Sequence, residues 1–349
     1  MNKRIGHTLR RWLLCAVLGG ALLGPCTAQV SPFNGLAVSV DSGATVRIVI
    51  GGHFYGSGQV RSGFPASTLL ANIDTLNDLG AHLLLSTGDL FLDAQGDKER
   101  YDRAFFRRLR MPLFNAVGNH DLDGGHYTSL YGATFFSFDV GPVRIVILDT
   151  EHANGELAGD QLRLLEEAST AASEGAVHQV LIVSHRPVWA EDDDRYGPLF
   201  TGNTRSLTPT DFRSKVLPVV NAIAQHVPVY WVSGSLGGRA PASIFFQPHG
   251  RNVTYIQCGI RDEPRDALLV ADVSADTVRW SALSLTGRPV AAPSTYDASW
   301  WADRVGRREG FNWRLLPYLV RSTVTHRAFW WGILTALLVV FAVGRWVRR

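Results

Sequence analysis

The chain has 349 residues, a formal charge of only +3, and 46% hydrophobic against 19% charged residues. That balance suits a globular protein with membrane-directed pieces and leaves ample length for one large core. Much of the arginine excess sits at the two ends and no basic stripe interleaves with aromatics between them, so no nucleic-acid partner is expected.

Residues 1–28 read as a secretory signal peptide. Lys3, Arg4, Arg10 and Arg11 form a basic start, and the apolar run 12–23 is too short to span a bilayer. Pro25-Cys26-Thr27-Ala28 is the expected cleavage site, with an uncleaved anchor as the alternative. Cys15 and Cys26 leave with the signal, so Cys258 alone remains and no internal disulfide can form. Residues 29–44 are a lead-in.

Residues 45–50 alternate into an apolar run and predict the first central strand. Residues 67–79 place Leu69, Leu70, Ile73, Leu76 and Leu79 at helical spacing, with Ser67 as the expected cap. An apolar strand then ends in Gly88-Asp89. Residues 97–109 predict a helix that turns Tyr101, Phe105, Phe106 and Leu109 inward. The run 111–116 predicts a buried strand ending in Gly118-Asn119-His120-Asp121, where Gly118 is expected to free the backbone for a sharp turn. Residues 135–140 and 143–149 flank Gly141-Pro142, a hairpin signal. Residues 159–174 form an amphipathic helix, and the next strand delivers His185.

The stretch 190–209 carries Glu191-Asp192-Asp193-Asp194. A solvated acidic loop is the expectation and a lid over the site the alternative. Residues 210–225 predict a helix that Pro218 must kink or break. Strands are expected at 227–233, 242–247, 255–257, 268–273 and 278–285. Helix–strand alternation with a strand-rich end suits an α/β fold of two packed mixed sheets with helices outside. Residues 287–327 read as a juxtamembrane linker containing Trp300-Trp301. Residues 328–347 are long enough, at ~1.5 Å per residue, to cross the ~30 Å core of a bilayer. Trp330, Trp331 and Trp346 stand where interfacial anchors are expected.

Three apolar strands that each end in a ligand-type residue are not a core-packing pattern. Strand tips are where open α/β sheets gather chemistry. The motifs Gly88-Asp89, Gly118-Asn119-His120-Asp121 and His185, preceded by His53, resemble those of the calcineurin-like metallophosphoesterases across roughly residues 45–286. The softer Leu148-Asp149-Thr150 with Gln161-Leu162 and Leu165-Glu166 fits the same pattern. The resemblance implies a phosphoesterase sandwich with metal ligands His53, Asp89, Asn119 and His185, and His120 as the catalytic or phosphate-contacting group. Two motifs depart from it. Gly51 stands where the family has Asp, and Ser235 and Gly237 stand where it has two His. All three are expected to border the cleft. Asp121, His126, Asp149 and His249 are the candidate substitute ligands.

Two functions follow. One is a membrane-anchored, extracytoplasmic metal-dependent phosphoester hydrolase. Its centre would be altered, holding one divalent Mn, Fe or Zn ion, and it would act on a phosphorylated small molecule or envelope component. The other is a catalytically inactive phosphoesterase-fold binding or scaffold protein of the cell envelope. Either would be a single-pass protein of the cytoplasmic membrane, with its domain in the periplasm and Arg345, Arg348 and Arg349 inside. A serine hydrolase is rejected, because Ser233-Gly234-Ser235-Leu236-Gly237 lacks the first glycine of a nucleophile elbow.

Overall fold

Strands that are apolar at nearly every position must be buried on both faces, and that burial builds this protein. The computed structural model describes residues 29–41, 43–58, 62–191, 193–200, 210–237, 239–305 and 316–347. The expected signal segment, Asp192, residues 201–209, and Arg348 and Arg349 lie outside them.

Eleven strands form two sheets among the described residues. In chain order they are β1 (Val46–Gly51), β2 (Leu83–Ser86), β3 (Leu113–Asn115), β4 (Phe136–Val140), β5 (Val143–Ile147) and β6 (Gln179–Ser184). They continue as β7 (Val229–Ser233), β8 (Ile244–His249), β9 (Val253–Cys258), β10 (Ala267–Val273) and β11 (Val278–Ser284). The first sheet runs β11-β10-β1-β2-β3 and the second β4-β5-β6-β7-β9-β8. In the first, β1, β2 and β3 are parallel; in the second, β5, β6, β7 and β9 are. Their carboxyl ends therefore line up within each sheet.

Alternate side chains of each strand serve different cores. Ile48, Ile50, Leu83, Leu85 and Phe114 meet Ile145, Ile147, Leu181, Val183 and Val232 between the sheets. Val49 and Leu84 face outward against Leu69, Leu76, Tyr101 and Phe105. Val180, Ile182 and Trp231 face outward on the other side, against Leu165, Ala168, Val220 and Ile223. The two-sheet, helix-flanked architecture expected from the sequence is the one found.

Some elements differ. The helix expected at 67–79 is two short helices, Ser67–Ala71 and Ile73–Asp78, and Ser67 is helical rather than a cap. Asn72 sits at the break, its amide donating to the carbonyls of Thr68 and Leu285 at 2.8 Å each. Pro218 does interrupt its helix: a π-helical turn, Phe212–Val216, precedes the α-helix Leu217–Ala224, with Pro218 in the first turn. The juxtamembrane stretch is partly core. Trp301 is fully buried, packs on Phe200 and Phe245, and donates its indole N–H to the carbonyl of Ile244 at 2.9 Å. The last helix, Arg327–Val347, includes a 20-residue span from Arg327 to Trp346 that is long and apolar enough to cross a membrane. Its apolar side chains are exposed, with Trp346 at 78%.

Candidate metal centre

At one end of the sandwich the parallel strands hand over to short loops. His53 follows β1, Asp89 follows β2, Asn119 and His120 follow β3, and His185 follows β6. The site is thus built from both sheets. His53, Asp89 and His185 are buried, and their ligand atoms lie within 4.8 Å of one another. Asp89 Oδ2 is 3.6 Å from His53 Nδ1 and 3.6 Å from His185 Nε2. Asp89 Oδ1 accepts the backbone N–H of His120 at 3.2 Å, which holds the start of the helix Asn119–Leu122 against the carboxylate. His53 and Asp89 both have left-handed backbones, at φ 55° and 56°. Such a conformation costs a non-glycine residue about 1–3 kcal/mol and persists only where its surroundings enforce it.

At Asp89 the neighbouring Asp121 helps enforce it. Its fully buried carboxylate accepts the backbone N–H groups of Asp89 (2.9 Å), Phe91 (3.0 Å) and Gly118 (2.9 Å), and the amide of Asn115 (3.0 Å). Burial first, and then the charge of Asp89, pushes its pKa up to about 6. Asp121 is therefore spent on backbone and is not a substitute ligand. Gly118 is extended, at φ −103°, so the turn does not need glycine for its torsion. It needs glycine for space, because a Cβ there would strike the carboxylate and backbone nitrogen of Asp89.

The two histidines differ in protonation. His185 Nδ1 lies 3.0 Å from the carbonyl of Thr87, which can only accept, so Nδ1 carries the proton. In the neutral ring the lone pair of Nε2 is then left facing the Asp89 carboxylate. Two acceptors at 3.6 Å repel unless a cation lies between them, and a carbonyl that fixes the far nitrogen is the usual support of a metal-binding histidine. Asp89 and His185 thus fit a divalent metal. His53 is turned the other way. Its Nε2 accepts the N–H of Leu236 at 3.2 Å, which puts the proton on Nδ1, facing the Tyr55 hydroxyl at 3.1 Å and Asp89. Burial, and after it the charge of Arg261, holds the His53 pKa well below its usual range and keeps it neutral. To ligate, His53 would have to move that proton and give up the Leu236 bond.

Asn119 is half-buried and opens its helix, with its carboxamide free of hydrogen bonds to the described residues. His120 is half-buried, edge-on to Tyr55 at 5.3 Å, with Nδ1 3.5 Å from Asp123. Ser235 donates its backbone N–H to the carbonyl of His185 at 2.9 Å and so borders the centre. Gly237 is tied instead to Arg265, its carbonyl accepting at 3.3 Å. Asp149 Oδ1 caps the N–H groups of Glu151 and His152 at 3.0 Å each. His126 is exposed, and His249 takes the Tyr196 hydroxyl at 2.8 Å. None of the substitute ligands joins the cluster. Glu191 is not a solvated acid either: its side chain is buried and paired with Arg186 at 2.9 Å.

Gly51 does not border the cleft. A Cβ there would run into Leu268 Cδ2 and lie 3.3 Å from Phe54 Cε1. Core side chains thus fill the space that a side chain at position 51 would need. Gly51→Ala should destabilise by about 1–3 kcal/mol through overpacking. Combined with Leu268→Ala in a denaturation cycle, it should cost at least about 1 kcal/mol less than the sum of the two single changes. Strict additivity would show that Leu268 does not fill the position.

Sequence reasoning missed Tyr55, Thr87, Leu236, Arg261 and Leu268. Arg261 was the most accessible of these, since it lies three residues past β9, another parallel strand.

Two face-to-face mixed sheets that gather His, Asp and His at shared strand tips are the architecture that the motif resemblance implies. No family model and no curated protein matches the sequence. Among solved structures the chain is similar to a dimetal phosphatase from Danio rerio, at 15% identity and TM-score 0.46, over 70% of this chain and 97% of that one. It is also similar to GAP50, the anchor in the inner membrane complex of Plasmodium, at 10% identity and TM-score 0.47, over 79% and 94%. A third is purple acid phosphatase PPD1 from yellow lupin (Lupinus luteus) seeds, at 10% identity and TM-score 0.46, over 73% of this chain and 55% of that one.

Proposed function

We propose that the protein is a metal-dependent phosphoester hydrolase with a single-metal centre, held at a membrane by its C-terminal helix with the domain on the extracytoplasmic side. The observation that carries this reading is the facing pair of buried acceptors, Asp89 Oδ2 and His185 Nε2, 3.6 Å apart. A divalent Mn, Fe or Zn ion suits an imidazole and carboxylate donor set. Asp89 and His185 would hold it, with the Asn119 carboxamide as third donor. When bound, such an ion neutralises phosphate charge and lowers the pKa of water.

The chain supplies the rest. Thr87 fixes the tautomer of His185. Asp121 holds the loop that presents Asp89. His120, at the half-buried rim, gives a proton to the leaving oxygen or holds a phosphate oxygen. A phosphorylated small molecule or envelope component is the proposed substrate class.

The second reading, a phosphoesterase-fold binding protein without turnover, is favoured by Leu268 occupying the space beside Gly51 and by the Leu236 bond that ties up His53. Elemental analysis beside an aryl phosphate assay separates the two. One metal per chain is expected, with slow hydrolysis that a chelator abolishes and added Mn or Zn restores. Two metals with fast turnover would overturn the single-metal centre. A folded protein with neither metal nor turnover would establish the binding reading.

A further inference from the structure

A centre that has lost half its metal ligands still has to meet a phosphate dianion beside the buried Asp89. A positive charge, Arg261, stands beside the cluster. It leaves β9 through Gly259-Ile260, on the carboxyl side of a strand parallel to β7. Its guanidinium Nη1 donates to the carbonyl of Leu236 at 3.1 Å and lies 3.5 Å from His53 Nδ1. That nitrogen is 3.6 Å from Asp89 Oδ2. The guanidinium therefore sits at the mouth of the cluster, on the His53 side, where the departed ligands would have held a second cation.

Arg261 is held there from behind. Its backbone N–H donates at 3.0 Å to Oδ1 of Asp266, which is fully buried and also takes the Thr68 hydroxyl at 2.8 Å. Neighbouring arginines are committed elsewhere: Arg265 pairs with Glu263 at 2.7 Å and Arg186 with Glu191 at 2.9 Å. Arg261 forms no ion pair with the described residues, although the half-exposed side chain lies within reach of the cleft. His53 Nδ1 lies 3.1 Å from the Tyr55 hydroxyl, which also takes a hydrogen bond from Arg261, so the tyrosine steadies the guanidinium beside the cluster. A guanidinium has five N–H donors in a fixed fork, and the Leu236 carbonyl and the Tyr55 hydroxyl engage part of it. The remaining fork has the geometry that matches phosphate oxygens.

We propose that Arg261 is a fixed cation standing in for the second metal, and that its guanidinium binds the phosphoryl oxygens of a phosphate monoester at the mouth of the His53–Asp89–His185 cluster. The proposal rests on the hydrolase reading for its substrate class, but not on turnover. It also accounts for the survival of a charged cleft after the first-motif carboxylate was replaced by Gly51 and its space closed by Leu268.

The test is calorimetric titration of orthophosphate into the full chain in detergent, with metal content measured on each sample. Wild type should bind orthophosphate. Arg261→Gln, which keeps a donor for the Leu236 carbonyl, should weaken binding about 10- to 100-fold with metal content unchanged. Arg261→Lys, which keeps the charge but loses the fork, should fall between them. If Arg261→Gln binds as tightly as wild type, Arg261 is only a tether for the Leu236 loop and the inference falls, whatever the metal content. If wild type holds no metal yet binds orthophosphate and Arg261→Gln does not, the single-metal hydrolase reading fails while Arg261 stands as the anion site. A wild-type chain that binds no orthophosphate overturns the inference outright.

Discussion

Asp121→Ala should lower the melting temperature by roughly 10 °C, a larger fall than other single substitutions in the cleft should produce. The carboxylate serves three backbone N–H groups and the Asn115 amide, all at 2.9–3.0 Å and all buried. Each buried donor left without a partner costs about 1–3 kcal/mol. Against this, the substitution removes a buried charge that is itself unfavourable, as its raised pKa shows. A net loss of about 3–5 kcal/mol is expected. Asp121→Asn should recover part of it, since one amide oxygen still accepts while the NH2 group faces donors. Because Asp121 takes the N–H of Asp89, either change should also relax the left-handed backbone at Asp89 and weaken metal binding. Thermal unfolding with metal analysis is the measurement. A melting temperature within about 2 °C of wild type would show that water or a rearranged loop replaces the carboxylate.

How much of this was legible in the sequence depends on whether a feature is local or relational. Periodicity and apolar runs marked the strands, because burial on two faces confines polar residues to the strand ends, Ser86 in β2 and Gln179 and Ser184 in β6. The ligand residues were legible because each ends such a run. Relations across the chain were not. Nothing near Gly51 in sequence announces that Leu268, more than two hundred residues away, occupies the volume beside it. Gly118 was read as a torsional hinge, whereas its role is close approach to Asp89. Glu191 looked like part of a solvated acidic run until Arg186, five residues earlier, was found against it. Trp301 was assigned to a linker because its neighbours are small and polar, yet its ring completes the core behind Phe245. In each case the composition of the segment was read correctly and the partner was out of reach.

Asp89→Asn should abolish metal binding and turnover while leaving the fold intact or more stable. Asparagine has the same shape and tolerates a left-handed backbone, so the φ of 56° remains accessible. Its Oδ1 can still accept the N–H of His120. The charge is what is lost. Without it, the lone pair of His185 Nε2 faces a neutral amide and the centre keeps no anionic ligand. A bound metal supplies several kcal/mol of charge stabilisation, so the loss of turnover should be about 1000-fold or more at 1.36 kcal/mol per factor of ten. Stability should move the other way. The Asp89 charge is the second cause, after burial, of the raised Asp121 pKa. A carboxylate whose folded pKa is raised destabilises the fold once pH exceeds that pKa, so removing the Asp89 charge relieves the penalty at neutral pH and above. In metal-free protein the melting temperature of Asp89→Asn should therefore equal or exceed that of wild type near neutral pH, and the gain should shrink as the pH falls below about 6. Asp89→Ala, which lacks the left-handed tolerance of asparagine, should show the same loss of metal without the gain. A metal-loaded, active Asp89→Asn protein would move the centre away from this cluster. A strongly destabilised one would make Asp89 a structural carboxylate, selected for the loop it holds and not for the ion it binds.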